Sequence, residues 1–431
     1  MQPILPIPIS TRPYWTGIAV TFFSYVCVHA GRKAFTNTKS IAVDYLGIDP
    51  TTAGALDAVF MLSYAIGLVA FGGLADYKNP LFLLFFSLIG MSVLQMTFVE
   101  ICTQGLASES FGLAFLFLVW TLNGLIQSLT WPSCVKLVQC YLFDYHRKTT
   151  VFSVWACNGI VGNIVCSVIA ELVVGKFGDS VDSFRSVFFI TSVLNLVMSV
   201  VVLQLPAVTG QFRERGSDHN EPNQSVCETL KVRGVLDYSF CHLCIKGVAY
   251  AMFFWLPFYL TRVYKVDPGD AARISIVYDL ATAIGGPICG LLVEKTGKPA
   301  ILISIAVVVA AGPQILINST SDTGLARLLV SASVPYGVII NIVVSGFLVG
   351  GVLNVLSAAI CVSLGGGHSA ARVRGIIDGF GSLGASATQI LIPLVSVGEG
   401  WGSVFGLLGI LLMISALTLV RIIKDELHVS M

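Results

Sequence analysis

The sequence predicts an all-α membrane protein with twelve transmembrane helices in two pseudo-symmetric six-helix halves around a central cavity. Three observations support this fold: an apolar composition, twelve apolar segments of membrane-spanning length, and a motif that occurs once in each half. The chain has 431 residues, of which 55% are hydrophobic and only 11% are charged. Soluble domains are about a quarter charged, so most of this chain must face lipid.

Twelve segments are apolar over the roughly 20 residues that a transmembrane helix needs. They are residues 14–35, 54–75, 81–101, 112–138, 150–175, 186–206, 238–262, 273–293, 299–317, 338–364, 374–396 and 402–422. The polar linker 207–237 cannot span a membrane, so it divides the chain into an N-terminal half (residues 1–206) and a C-terminal half (residues 238–431). Residues 325–337 extend either a loop or the tenth helix.

The charged residues of the loops predict the orientation. Lys and Arg collect on the side of both termini, as at Arg147, Arg213 and Lys295, whereas the opposite loops hold acids such as Asp44 and Asp179. Cytoplasmic loops carry the excess of Lys and Arg, so we expect both termini in the cytosol. The net charge of +1 gives no bulk attraction to nucleic acid.

A short motif follows the second span and recurs after the eighth. The stretches "GGLADYKNP" (residues 72–80) and "GLLVEKTGK" (residues 290–298) both place an acid and a nearby cation at a helix end. The two acids, at positions 76 and 294, lie 218 positions apart, about half the chain. We interpret the copies as matching latches that gate the movement of the halves; the alternative is a tight loop with chance charges. The latch residues are Asp76, Lys78, Glu294 and Lys298.

Several segments resemble a known transporter family. "NGLIQSLTWPSCVKLV" (residues 123–138) in span four and "GRKAF" (residues 31–35) in span one resemble elements of the organophosphate:phosphate antiporters, a branch of the major facilitator superfamily. "FFWLPFYL", "YDLATAIGG" and "IIDGFGSLGA" in spans seven, eight and eleven are similar to the eukaryotic sugar-phosphate exchangers. In span four, the residues Asn123, Gly124, Trp131 and Pro132 form a helix-packing motif of this family.

The resemblance implies a function and a compartment. It implies exchange of a phosphorylated sugar, such as glucose 6-phosphate, or of glycerol 3-phosphate, for inorganic phosphate. Relatives favour the endoplasmic reticulum membrane, and another internal membrane or the cell surface stays open. The rival functions are a facilitator of another organic anion or drug on the same fold, and a transport-inactive sensor.

Two cations inside predicted spans are candidate ligands for a phosphate group. Arg32 lies in span one and Lys246 in span seven, which are equivalent positions in a two-fold repeat. Ionisable residues inside a membrane are functional candidates by default, and the family carries its phosphate-binding cations on these two helices. The alternatives are snorkelling of Arg32 and an ion pair of Lys246 with Asp279 or Asp378. We expect the neighbouring Lys33 to anchor the membrane surface instead.

Other polar residues of the spans are supporting candidates. Tyr64 and Tyr250 either bond the substrate or only pack, and Lys136 is either a gate cation or a surface anchor. Asn158 stands where relatives often have His; Asn can bond phosphate but cannot take up a proton near neutral pH. The acids Asp57, Asp279 and Asp378 are candidates for polar support.

The motifs do not indicate an enzyme. There are no paired catalytic carboxylates and no nucleophile–His constellation, and "CHLC" (residues 241–244) is a lone Cys pair without the second pair of a zinc site. The sequence therefore predicts a transporter without a metal or cofactor. Its partners are a phosphorylated small molecule, inorganic phosphate and the lipid bilayer; the oligomeric state stays open.

Overall fold

The computed structural model describes residues 14–71, 74–106, 109–142, 151, 154–205, 226–320 and 334–428. All regular secondary structure in this part of the chain is helical. The helices are α1 (Trp15–Tyr45), α2 (Pro50–Phe71), α3 (Leu74–Tyr77), α4 (Pro80–Thr103), α5 (Ser110–Gln127), α6 (Thr130–Tyr141), α7 (Asn158–Phe177), α8 (Val181–Val202), α9 (Val226–Leu230), α10 (Val235–Tyr264), α11 (Pro268–Thr296), α12 (Pro299–Thr320), α13 (Tyr336–Val344), α14 (Gly351–Val355), α15 (Cys361–Gly398), α16 (Gly400–Thr418) and α17 (Val420–His428).

The predicted membrane spans are present as helices. Within the described residues, eleven helical stretches are long and apolar enough to cross a membrane, and α1 adds the remaining predicted span. The pair α5 and α6 forms one span, and the stretch from α13 through α14 forms another. Twelve transmembrane helices in two halves are therefore the architecture of this chain.

Helix α1 is longer than the sequence suggested. It ends at Tyr45 rather than near residue 35, and at a rise of 1.5 Å per residue its 31 residues extend over about 46 Å. The pair Arg32–Lys33 therefore lies in the middle of the helix instead of in its last third. This difference decides the roles of both cations.

The fourth span breaks between α5 and α6. Ser128 and Leu129 leave the α-helical pattern just before the Trp131-Pro132 pair. Pro132 is the third residue of α6, and in a first helical turn its missing N–H forfeits no intrahelical hydrogen bond. The break thus lets the proline lie inside a membrane span.

Helical hydrogen bonding continues from span ten into span eleven. Two π-helical turns, Ser345–Gly350 and Leu356–Ile360, flank α14, and α15 follows without a break. The sequence suggested a non-helical connection near residues 365–373, and this detail is wrong. At the first π-helical turn, Gly285 lies so close to the carbonyl oxygen of Phe347 that a Cβ atom would come within 2.1 Å. Such close approach is typical of small residues between membrane helices.

The two halves contact each other through α2 and α15, α7 and α11, and α1 and α10. Gly54 on α2 allows the closest approach, because a Cβ atom there would lie 2.3 Å from the carbonyl oxygen of Gln389 on α15. One turn further along the same pair of helices, the Ser386 hydroxyl donates to the carbonyl of Ala58 at 2.9 Å.

These contacts lie toward the side of the membrane opposite the termini. At that end Arg262 pairs with Asp44 at 2.7 Å and Arg273 pairs with Glu171 at 3.3 Å, and each pair joins one half to the other. On the terminal side, the described contact between the halves is that of the Arg374 guanidinium with the Trp131 ring, at 5.9 Å. The structure is therefore closed on the side opposite the termini.

Candidate functional site

Helix α1 carries three buried cations at the centre of the bundle. Arg32, Lys33 and Lys39 are 5%, 2% and 0% exposed. The helix packs against α6, α7 and α8 of its own half and against α10 and α11 of the other half, so both sides of its central part face protein. Three cations can be held there only if each finds compensation, because an unpaired buried charge is costly.

Arg32 is compensated by neutral groups alone. Its Nε donates to Gln127 Oε1 at 3.1 Å, and its guanidinium lies over the Tyr64 ring at 4.7 Å and the Phe60 ring at 5.5 Å. Its Nη2 atom is buried without a hydrogen-bond partner. Among the described residues, no carboxylate pairs with Arg32. The geometry leaves one edge of the guanidinium available to an anion.

The span-four motif positions this arginine. The Gln127 amide that receives Arg32 is itself bonded to Asn123 Oδ1 at 3.1 Å. Gly124 lets α5 approach α2, since a Cβ atom there would lie 2.1 Å from Ser63 Oγ. Asn123 bonds Gln127, and Gly124 lets α5 approach α2 beside Tyr64, so both residues bear on the position of Arg32.

Lys246 forms an ion pair with Asp378, which was the alternative to Lys246 being a free ligand for a phosphate group. Its Nζ donates to Asp378 Oδ1 at 2.6 Å and to Ser382 Oγ at 3.0 Å, and it lies 5.6 Å from the Tyr250 ring centre. The side chain of Asp378 is 30% exposed, whereas that of Asp279 is 4% exposed. Asp378 is thus the most accessible of the carboxylates that pair with the buried cations.

The prediction that Lys33 anchors the membrane surface is wrong. Its Nζ pairs with Asp279 Oδ2 on α11 of the other half, and Asn163 on α7 donates to the second oxygen of Asp279 at 3.1 Å. Because α1 continues beyond residue 35, Lys33 lies at the membrane centre, where it needs a carboxylate. Asp279 is the carboxylate that pairs with Lys33.

Lys39 was not singled out by the sequence. Its Nζ contacts Asp57 Oδ2 at 2.5 Å and the backbone carbonyl of Phe254 at 2.8 Å, and it lies 4.0 Å from the Trp255 ring centre. The Phe254 contact joins the halves. Asp57 is therefore the structural ion-pair partner of Lys39.

An aromatic wall extends from Arg32 toward the terminal side. The Tyr64 ring lies 4.7 Å from the Arg32 guanidinium, Tyr25 lies two turns before Arg32 on α1, and the Tyr250 ring lies 5.6 Å from Lys246 Nζ. Tyr25 also contacts the Trp131 ring at 4.9 Å, so the tryptophan of the predicted packing motif faces the same region. The phenol hydroxyls of these tyrosines are donors of a kind suited to phosphate or sugar oxygens.

Asn158 is a further unsatisfied group at the centre. The side chain is 1% exposed, and both its Oδ1 and its Nδ2 lack hydrogen-bond partners. Its neighbour Gly159 lies against the His29 ring of α1, with a Cβ position 3.0 Å from Cε1. Buried amides are normally bonded, so Asn158 points to a polar occupant.

Two histidines inside the helices, the half-buried His29 and the buried His242, escaped the sequence analysis. His29 Nδ1 is paired with Asn163 Oδ1 at 3.1 Å. His242 is fully buried, and its Nε2 lies 3.5 Å from Asp378 Oδ1. The sequence could have pointed to His242, because it lies four residues before Lys246 and the two side chains therefore share one face of an apolar helix.

The predicted latches are only partly visible. Lys78 and Glu294 are exposed, Lys298 is half-buried, and the Asp76 side chain lies outside the described residues. Lys136 is half-buried on α6. The gating roles of these five residues therefore stay predictions.

The buried charges do not cancel. We call the charged residues described above the central group. Among the described residues it has four cations against three carboxylates, which leaves one positive charge: Arg32, Lys33, Lys39 and Lys246 against Asp57, Asp279 and Asp378. Three cations are paired internally, and Arg32 is the fourth. In the same part of the chain, no three His, Cys, Asp or Glu side chains converge on a metal site. The arrangement is suited to an anion.

Comparisons with known proteins identify the family of this chain. The family profile described as Major Facilitator Superfamily matches residues 21–340. The chain is 30% identical to sugar phosphate exchanger 3 of Gallus gallus, over 90% of this chain and 87% of that protein. It is 28% identical to the glucose-6-phosphate exchanger SLC37A2 of Danio rerio, over 87% of this chain and 80% of that protein.

The fold also matches a solved structure. A bacterial homologue of the human lysosomal transporter Spinster, in an inward-facing and occupied conformation, superposes with a TM-score of 0.73 at 13% identity, and 93% of this chain and 95% of that chain are covered. At that identity the match bears on the fold alone. Together with the matched profile and the relatives, it indicates a membrane transporter rather than an enzyme. The chain therefore belongs to the Major Facilitator Superfamily, within its family of sugar phosphate exchangers.

Proposed function

We propose that this chain exchanges a phosphorylated sugar, or glycerol 3-phosphate, for inorganic phosphate by alternating access. The observation that carries the proposal is Arg32, a buried arginine with an unpartnered Nη2 and no carboxylate partner among the described residues. Arginine presents a planar fork that fits two phosphate oxygens. The names of the relatives, which are exchangers of phosphorylated sugars, support the same class of substrate.

The substrate site extends outward from Arg32. The phosphate lies on the free edge of the guanidinium, with Tyr64 and Tyr250 as hydroxyl donors and Asn158 as a donor and acceptor for the sugar. Lys246 reaches the phosphate when it leaves Asp378. Asp378 is the exposed member of that pair, so the substrate enters from the terminal side.

Charge balance explains why transport is an exchange. Arg32 is only 5% exposed in this structure, and an empty site that closes would also cut its uncompensated charge off from water on the terminal side, a strongly unfavourable state. A bound phosphate group relieves it, so the loaded carrier changes side and the empty carrier does not. Inorganic phosphate is the smallest anion that can bring the carrier back.

The orientation and the gates follow from the same scheme. With both termini in the cytosol of an endoplasmic reticulum membrane, the closed side faces the lumen and the structure is a cytosol-accessible state. The pairs Asp44–Arg262 and Glu171–Arg273 close the lumenal side. The latches and Lys136 act on the cytosolic side, where closure must occur in the other half of the cycle.

Counterflow in proteoliposomes tests the proposal. Vesicles loaded with unlabelled phosphate should accumulate labelled phosphate, and external sugar phosphates should compete. Arg32→Ala and Lys246→Ala should each abolish the counterflow, whereas Arg185→Ala, at an exposed arginine bonded to Thr103, should keep it. Undiminished counterflow in both central variants contradicts the two-cation site. Competition by unrelated organic anions but not by phosphate identifies the rival facilitator.

A further inference from the structure

The net charge of the central group does not match the substrate class proposed above. A phosphate monoester carries close to two negative charges at neutral pH. The described central group has a surplus of one positive charge. A bound dianion would therefore leave one negative charge uncompensated among buried groups, which costs several kcal/mol. Either the substrate or the protein must supply one more positive charge.

His242 is the group of the protein that can supply it. The side chain is fully buried on α10, and neither ring nitrogen has a hydrogen-bond partner. Imidazole changes its charge between about pH 5 and 8, which other unperturbed side chains do not. His29, a half-buried histidine on α1, uses its Nδ1 on Asn163 and faces no carboxylate among the described residues. Of these two histidines, His242 is thus the one that lies beside a carboxylate and can take up a proton when a dianion binds.

The surroundings of His242 connect it to Lys246. Asp378 on α15 faces the ring, with Oδ1 at 3.5 Å from Nε2, and the same oxygen accepts from Lys246 Nζ at 2.6 Å. The helices α1, α9, α11, α14 and α16 and the π-helical turn Ser345–Gly350 also pack against α10, and in their described parts no charged side chain reaches the ring. Arg374, one turn from Asp378 on α15, lies over the Trp131 ring instead. Asp378 therefore faces one permanent cation, Lys246, and one titratable group, His242.

Glycine at position 381 brings this group together. A Cβ atom at Gly381 would lie 2.2 Å from Cδ2 of His242 and 2.7 Å from Cδ of Lys246. The ring is thus pressed against α15, one turn from the partly exposed Asp378 carboxylate. Water reaching that carboxylate from the terminal side gives a proton access to the buried ring.

We propose that His242 is the binding site for a proton that accompanies the phosphate dianion. The proposal rests on the proposed function for the class of ligand. A proton from the solution adds to Nε2, and the new N–H donates to Asp378. Asp378 then has a second cationic partner, so Lys246 is released from its exclusive pairing and turns to the phosphate beside Arg32. No covalent bond other than N–H forms, and the solution buffer becomes the conjugate base.

Proton uptake on ligand binding tests this assignment directly. Purified protein in weakly buffered detergent at about pH 8, where a phosphate group is mostly dianionic, receives inorganic phosphate adjusted to the same pH, and an indicator dye records protons taken up. Wild type should take up about one proton per phosphate bound. His242→Gln should bind phosphate more weakly and take up none. His29→Gln is the matched control and should keep the uptake per phosphate bound.

The outcomes separate this inference from the proposed function. If His242→Gln still takes up a proton, the proton travels on the phosphate itself, and the assignment is overturned. Phosphate binding to wild type without uptake also overturns it but leaves the transport proposal intact, whereas no phosphate binding at all contradicts the transport proposal. If the variant does not fold, infrared difference spectra of wild type with isotope-labelled histidine decide: an imidazolium band on phosphate addition supports the assignment, and its absence refutes it.

Discussion

At the residue scale, Arg32 differs from the other buried cations in having no acid. Lys33, Lys39 and Lys246 each have a carboxylate partner, whereas Arg32 rests on Gln127, Tyr64 and Phe60. A guanidinium stacked on aromatic rings keeps its charge and its donors while its orientation is fixed. Its place in the site therefore depends on its planar shape as well as on its charge.

Replacing Arg32 by lysine tests the importance of shape. Arg32→Lys keeps the charge but loses the fork, the stacking on Tyr64 and the bond to Gln127. We expect phosphate counterflow to fall about 10-fold or more, as the loss of one charged hydrogen bond predicts. The measurement is initial counterflow rate in proteoliposomes with matched protein content. Arg185→Lys at the surface is the control, and equal rates for Arg32→Lys and wild type would show that charge alone suffices.

The Lys33–Asp279 pair makes a prediction about stability. Asp279→Asn and Lys33→Met each leave one buried charge alone, and each should lower the free energy of unfolding by about 3–5 kcal/mol. The double variant Lys33→Met/Asp279→Leu should recover most of that loss, because no charge stays unpaired. Denaturant unfolding in detergent measures all three variants. Single variants as stable as the double variant would contradict the pairing.

The sequence predicted the ion-pair partner of Lys246 but not that of Lys33. Asp378 was one of the two acids named as an alternative for Lys246, and the structure confirms it. The position of Lys33 depends on where α1 ends, and a run of polar residues from Thr36 to Ser40, which includes Lys39, concealed that end. These residues are buried, because here the helix faces protein rather than lipid. Hydropathy alone cannot distinguish those two surroundings.

At the element scale, the turn between α7 and α8 is part of the closed side. Burial and the nearby carboxylates of Asp44 and Asp267 raise the pKa of Asp179 in this turn. Asp267 belongs to the C-terminal half and the other two acids to the N-terminal half. Ionisation of Asp179 therefore adds repulsion between the halves at the end where they are closed.

This arrangement predicts that closure depends on pH. A carboxyl group with a raised pKa stabilises the closed state while it is protonated, and the stabilisation is lost as the pH rises through that pKa. Spin labels at Phe177→Cys and Lys265→Cys should report more of the closed distance at about pH 4, near the ordinary pKa of an aspartate, than at about pH 8, well above it. Asp179→Asn should remove the dependence, whereas Asp182→Asn, at a neighbouring exposed acid, should keep it. A pH-independent distance distribution in the otherwise unchanged protein would refute the prediction.

The elements themselves were largely predictable. A membrane span needs a long apolar segment, and each predicted segment overlaps a helix. The continuous helix through residues 365–373 was not predicted, because glycines at positions 365–367 favour a break in a helix. The break between α5 and α6 was easier to foresee, since Pro132 restricts the residues before it.

At the scale of the whole molecule, the surplus charge predicts tight coupling. Arg32 is already buried in this structure, and closing the empty carrier also removes its remaining access to water, at a cost of several kcal/mol. Each 1.4 kcal/mol is a factor of about ten in population. Efflux of labelled phosphate into phosphate-free medium should therefore be at least about 10-fold slower than efflux into medium with phosphate. Both rates are measured in the same proteoliposomes. Equal rates would mean that the empty carrier changes side freely.

The unpaired charge of Arg32 also has an electrical consequence. Moving one elementary charge through 100 mV is worth about 2.3 kcal/mol, so a carrier that moves net charge is driven by the membrane potential. A dianion and a proton held in a site with one positive charge form a neutral complex, and the counter-substrate returns in the same state. The exchange then experiences no force from the voltage, and only the two opposing concentration gradients set its direction.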